Sequence, residues 1–217
     1  MDGRSKAMKV LVLGASGGVG RHILEQGIGR GLAITAQTRK AEKLADVAGR
    51  VRVEECSPTD RAGLARLLEG QDAAIFALGI DAPGRTTLFS EATSALIAAM
   101  RDAGGRRLVA ITGVGAGETR GHGGFLYDWI LFPLFTRHRY ADKDRQEALI
   151  EASGLDWIIV RPAPFSDRPA SGPLEVHTRI GRDTVLRHIT RKEVAAFVLD
   201  QLTNNAYLRQ KPFIGHA

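Results

Sequence analysis

The chain has little cysteine, few aromatic residues and no long apolar run. Its one cysteine, Cys56, excludes an internal disulfide framework and any cluster of cysteine metal ligands. The six histidines include no His-x-x-x-His or Glu-x-x-His pair, so no metal site is expected. No stretch reaches the roughly 18 apolar residues that a membrane-crossing helix requires, and the longest candidate, 129–135, is interrupted by Pro133. The start of the chain lacks the apolar core of a signal peptide. The expectation is a cytoplasmic protein without membrane contact, with residues 1–7 as a flexible leader.

What is present is a globular composition, 44% hydrophobic, 25% charged and 6% aromatic over 217 residues, which excludes a disordered or fibrous chain. At roughly 150 residues per domain this length reads as one domain, 8–217, and such a chain buries about 70% of its unfolded surface without a staple. Lys and Arg number 30, of which 23 are Arg, against 24 Asp and Glu, leaving a net charge of +6. That surplus attracts anions, whether nucleic acid, anionic lipid or a phosphate-bearing small molecule. The arginines are scattered, with no run longer than Arg106-Arg107, whereas nucleic-acid footprints are clustered. A small-molecule substrate is expected and nucleic acid is not, in a monomer or homodimer.

Strand-like and helix-like segments alternate. Short apolar runs predict strands at 10–13, 33–38, 51–54, 73–78, 107–112, 156–161 and 213–215. Amphipathic spacing predicts helices at 18–30, 60–68, 87–103, 141–153 and 191–203. Thr190 and Glu193 have the spacing of a capping box, and Gly104 and Gly154 follow helices where a left-handed terminal residue is wanted. The alternation implies crossover connections and a doubly wound parallel sheet. Two stretches interrupt it, 113–139 and 162–187. Both follow the C-terminal end of a strand, where open α/β sheets bind ligands, so both read as substrate-covering loops.

The sharpest motif is Gly14-Ala15-Ser16-Gly17-Gly18-Val19-Gly20, which follows the first strand and opens the first helix. Gly14 permits the tight turn, Gly17 lets the backbone approach a diphosphate, and Gly20 allows close packing of helix on strand. The helix start then offers free N–H groups and the positive end of a dipole, and Ser16 adds a hydroxyl. The second strand ends Gln37-Thr38-Arg39-Lys40, with no carboxylate before Glu42. An acid there would accept from the ribose of NAD, whereas Arg39 suits the 2′-phosphate of NADP. The cofactor expected is NADP(H).

These features, with Ala77-Leu78-Gly79, the pair Lys143 and Glu147, and the run from Ser153 through Trp157 to Arg161-Pro162, resemble the atypical short-chain dehydrogenase/reductases. Within them the chain is similar to NmrA-like proteins and to biliverdin-IXβ or flavin-reductase-like proteins. The resemblance implies a Rossmann fold with strand order 3-2-1-4-5-6-7. It implies a diphosphate held by Gly14, Ala15, Ser16, Gly17, Gly18 and Val19, a 2′-phosphate on Arg39, and Ala77, Leu78 and Gly79 along the ribose. It further implies Pro162, Ala163 and Pro164 beside the nicotinamide, and Thr112 where many members carry a catalytic Ser. The full catalytic pattern is Tyr-x-x-x-Lys, with the Lys on the ribose hydroxyls. Here the spacing is Tyr140-x-x-Lys143, which leaves both on neighbouring helix positions but alters the aim of the phenol.

The expected function is hydride transfer from NADPH to a small planar or carbonyl acceptor, such as a flavin or quinone, with Thr112, Tyr140 and Lys143 at the reacting end. The altered spacing keeps a second reading open, an NADP(H)-binding redox sensor without turnover. A third, sugar-nucleotide epimerase chemistry, needs a properly spaced Tyr and a larger C-terminal domain. Phe125, Tyr127, Trp129, Phe132 and Phe135 are candidates for a pocket wall or for core, and His122 and His138 for proton transfer. Arg161 reads as a structural ion pair.

Overall fold

The computed structural model describes residues 7–79, 86–113, 137–168, 172–181 and 184–217, with 137–140 described as helix only. Along the described chain run β1 (Lys9–Leu13), α1 (Gly18–Gly29), β2 (Ala33–Thr38), a 3-10 segment (Ala41–Val47), β3 (Arg52–Glu55), α2 (Arg61–Leu68) and β4 (Ala73–Phe76). Then come α3 (Leu88–Asp102), β5 (Arg107–Ile111), α4 (Arg137–Glu151), β6 (Asp156–Pro162), β7 (Glu175–His177), α5 (Arg191–Asp200) and β8 (Phe213–Gly215). They form one sheet in the order β3-β2-β1-β4-β5-β6-β8-β7. All pairings are parallel except β7 on β8.

The architecture is the doubly wound Rossmann sheet that the alternation predicts. β1 is central, pairing with β2 from Lys9↔Ala33 to Leu13↔Gln37 and with β4 from Val10↔Ala73 to Leu13↔Phe76. Its side chains alternate between two cores. Val10 and Val12 join one with Val19 and Ile23 of α1 and Val194 and Val198 of α5. Leu11 and Leu13 join the other with Leu64 of α2, Leu96 of α3 and Ile150 of α4. All four of these β1 side chains are fully buried, which is why the strand reads as a continuous apolar run.

The expected order 3-2-1-4-5-6-7 holds when its seventh strand is β8, and it needs one addition. Residues 175–177, inside the expected covering loop 162–187, form a short antiparallel edge strand. Three half-buried residues give too short a pattern to stand out from a proline-bearing stretch. The 3-10 segment stands where the alternation predicts only loop, and α4 begins four residues before the predicted 141. The rest of the expected loop 113–139, from 114 to 136, lies outside the described residues. No helix among the described residues is long and apolar enough to cross a membrane.

Candidate functional site

The loop between β1 and α1 divides its amides into two sets. The Gly14 amide donates to Gln37 Oε1 at 3.1 Å, Ala15 to the Gln37 carbonyl at 3.2 Å, and Gly17 to the Gly14 carbonyl at 3.0 Å. The amides of Ser16, Gly18, Val19 and Gly20 find no acceptor among the described residues, the first backbone bond of α1 being Arg21 to the Gly17 carbonyl. Gly17 occupies the N-cap, which receives no side-chain hydrogen bond, and no acidic residue stands in the first turn. A run of unpaired N–H groups at the positive end of a helix dipole is a ready anion site.

Two glycines make the bend possible. Gly14 has φ +76°, and a Cβ on it would lie 2.8 Å from the Ala77 carbonyl oxygen. A Cβ on Gly20 would overlap the Gly14 carbonyl and sit 2.8 Å from that of Ala15. Gln37, buried in β2, fixes the loop from behind by donating Nε2 to the Cys56 carbonyl at 2.5 Å while accepting from Gly14. Thr38 donates its hydroxyl to Ser16 Oγ at 3.0 Å. Arg39, next along, is exposed and makes no hydrogen bond or ion pair among the described residues. Ala77, after β4, donates its amide to the Leu13 carbonyl, while Leu78 is half-buried and Gly79 exposed.

At the ends of β5 and β6 the side chains form a buried network. Thr112 donates its hydroxyl to Glu147 Oε1 at 2.8 Å. Arg161 donates Nε to the same oxygen at 3.1 Å and Nη2 to Oε2 at 2.5 Å. Arg161 and Glu147 are 1% and 3% exposed, so the fork-on-carboxylate geometry is what makes the pair tolerable, and Arg161 is the ion-pair anchor its sequence position indicates. Lys143, one turn before Glu147 on α4, donates Nζ to the Thr112 carbonyl and lies 5.0 Å from the centre of the Phe89 ring. The Thr112 hydrogen therefore points to Glu147, and its oxygen is left as an acceptor.

At the end of β6, Ala163 donates its amide to the Ile214 carbonyl at 2.8 Å, which holds the Pro162-Ala163-Pro164 segment on β8. Phe165 follows, 43% exposed. The structure brings the loop 14–20, Ala77 and Gln37 into direct contact, and separately gathers Thr112, Lys143, Glu147 and Arg161. Tyr140 lies in α4, but its side chain and that of His138 are outside the described residues, as are His122 and the aromatics 125–135. Cys56 is half-buried, and burial, then the Asp60 carboxylate, push its thiol up from its ordinary value. It donates to the Ser57 carbonyl at 3.2 Å and is a poor nucleophile.

Residues 14–205 match the model of a family described as NAD(P)H-binding. The chain belongs to that family. It is 30% identical to the uncharacterized protein YwnB of Bacillus subtilis, covering 94% of this chain and 96% of YwnB. It is 28% identical to the uncharacterized sugar epimerase YhfK of the same organism, covering 91% of each. The solved structure of ChuY, an anaerobilin reductase from Escherichia coli O157:H7, shares the fold with a TM-score of 0.76 at 21% identity, covering 96% of this chain and 97% of ChuY.

Sequence reasoning gave no role to several residues that shape this NAD(P)H-binding protein, Glu147 among them, although the Lys143 and Glu147 pair forms part of the resemblance. Gln37 is the one large polar residue of β2, whose other polar residues are Thr35 and Thr38, and a buried amide side chain needs a specific partner. Glu147 stands four residues after Lys143, the spacing that places both on one helix face. Arg191, on α5, packs against Gly18 at the start of α1. Its signal is a cation at the first position of a helix, where the dipole favours an acid.

Proposed function

We propose that the protein is an NADPH-dependent oxidoreductase that delivers a hydride to a small planar or carbonyl acceptor such as a flavin or quinone. The observation that carries this reading is the set of four amides at the uncapped start of α1 that find no acceptor among the described residues. Their donor chemistry fits a diphosphate, and the family match to NAD(P)H binding agrees with it. Gly14, Ala15, Ser16, Gly17, Gly18 and Val19 would hold the diphosphate. Ala77, Leu78 and Gly79 would border the ribose, Pro162 and Ala163 the nicotinamide, and Lys143 the nicotinamide ribose. Thr112 and Tyr140 would flank the acceptor. NADPH supplies the hydride when bound, and the chain supplies position and exclusion of water.

Choice of NADPH rests on Arg39, an exposed guanidinium without a partner among the described residues at the end of β2. Arg39→Ala should weaken NADPH about tenfold to a hundredfold, as expected for a lost charge-assisted contact, and leave NADH nearly unchanged. Equal binding of the two cofactors by the parent protein would overturn the preference. NADPH oxidation against a panel of flavins, quinones and carbonyls tests the reaction. ChuY, a reductase by name and similar in fold, supports the reduction of an acceptor.

A second reading, a redox sensor that binds NADP(H) without turnover, is favoured by one observation. The Thr112 hydrogen is given to Glu147, so this residue does not donate to a substrate oxygen. Tight NADPH binding with no turnover on any acceptor would decide for it. Chain length does not argue against epimerase chemistry, since YhfK is matched over 91% of its length. The Tyr140 to Lys143 spacing does.

A further inference from the structure

Arg191 stands where electrostatics alone would not put a cation. It is the first residue of α5, at the positive end of that helix. Its side chain reaches a second positive end: a Cβ on Gly18 would lie 2.9 Å from Arg191 Nε and 3.0 Å from its Cδ. There the open amides of α1 begin. The counter-charge on Arg191 is Asp167, 3.0 Å from Nη1, and that carboxylate is 94% exposed, so water screens the pair. The guanidinium also lies 5.0 Å from the centre of the exposed Phe165 ring. A cation between two positive helix ends, with one solvated carboxylate as its charge partner among the described residues, is an incomplete charge set. A doubly charged diphosphate completes it.

We propose that Arg191 is a diphosphate-responsive arm. When the dinucleotide binds, the guanidinium leaves Asp167 for the diphosphate oxygens. Staying stacked on Phe165, it draws the 162–168 segment toward the nicotinamide end of the same ligand. The inference rests on the dinucleotide reading above and adds a positioning residue to it. The arm's base does not need to move. Thr190 and Glu193 cap α5 around it, and Gln26 of α1 donates Nε2 to the Lys192 carbonyl at 2.9 Å. The absence of a side chain at Gly18 is what gives the arm its place.

The test is calorimetric titration of NADPH and of adenosine 2′-monophosphate, which carries the 2′-phosphate but neither phosphate of the diphosphate bridge. The proteins are the wild type, Arg191→Gln, Arg191→Lys and Asp167→Asn. Arg191→Gln should weaken NADPH about tenfold or more while adenosine 2′-monophosphate changes by less than about twofold. Arg191→Lys should recover part of the loss, and Asp167→Asn should tighten NADPH a few-fold by removing the competing carboxylate. The thermal midpoint of Arg191→Gln should be unchanged, because the side chain is 39% exposed. NADPH affinity unaltered by Arg191→Gln, or both ligands weakened equally, would overturn the arm alone. A wild-type protein that does not bind NADPH would remove the dinucleotide reading, and the arm with it.

Discussion

Helices α1 and α5 pack against each other on one face of the sheet, yet they begin in opposite ways. At α5, Thr190 Oγ1 accepts from the Glu193 amide at 3.2 Å, and Glu193 Oε2 accepts from the Thr190 amide at 2.9 Å. Glu193 Oε1 meets His216 Nε2 at 3.0 Å, and His216 Nδ1 meets the Pro173 carbonyl, so the cap is tied to the C-terminal strand region. Helix α2 is closed in the same spirit, by Asp60 accepting from Gly63. Helix α1 has glycine at its cap, no acid in its first turn and four amides without an acceptor among the described residues. A missing cap costs about 1 kcal/mol. Among the described residues, α2 and α5 are closed by a side chain at the cap, and α1 is left open at the end that the proposed function gives to the diphosphate.

The largest effect should come from filling the bend that keeps α1 open. Gly20→Val places a branched side chain where even a Cβ overlaps the Gly14 carbonyl. We expect loss of NADPH binding and destabilisation of about 1–3 kcal/mol or more, read by chemical unfolding. Gly29, at the other end of the same helix, has open space where a Cβ would stand, with nothing within 4 Å. Gly29→Ala should leave binding unchanged and gain up to about 1 kcal/mol. If both variants behave alike, the bend has no special role.

Next in size is a change that makes α1 resemble α5. Gly17 has extended backbone, φ −77° and ψ 168°, that an aspartate adopts without strain. Its Cβ would lie 3.2 Å from the Gly14 carbonyl, close but not overlapping. Gly17→Asp should cap the helix with a carboxylate that occupies the phosphate position and repels it. NADPH affinity should fall about tenfold or more while the melting temperature holds or rises. Undiminished affinity would mean that the diphosphate does not sit at these amides.

The same contrast explains what was legible in the sequence. The glycine loop was legible because steric limits at Gly14 and Gly20 leave few residue choices, and the strands because burial on both faces removes polar residues. The α5 cap was legible because it uses adjacent side chains. What escaped depends on distant partners. Gln37 matters through Cys56 and Gly14, Glu147 through Thr112 and Arg161 on other elements, and Arg191 through Gly18 far along the chain. Polar groups on α4 were hidden for a further reason. Asp142, Gln146 and Glu147 are buried there, reversing the usual rule that a helix buries its apolar side. No periodicity of hydrophobic residues marks such a face.

The smallest effect belongs to the closed helix and has a sign that pH reveals. Burial works to raise the Glu193 carboxyl, but the Thr190 hydroxyl and amide and His216 hydrogen-bond it and hold it below its ordinary value. A carboxyl lowered by folding contributes stability above the unfolded value, and the contribution is lost as pH falls through the folded one. The side chain is 34% exposed, which screens the gain. Glu193→Gln should therefore cost about 0.5–1 kcal/mol at neutral pH, and the gap to wild type should close as pH falls toward about 3. NADPH affinity should change far less than in Gly17→Asp, because the cap serves α5 and not the open amides of α1. A gap that persists unchanged in acid would mean that the amide geometry of the cap matters and its charge does not. The two helix starts would then differ in shape alone.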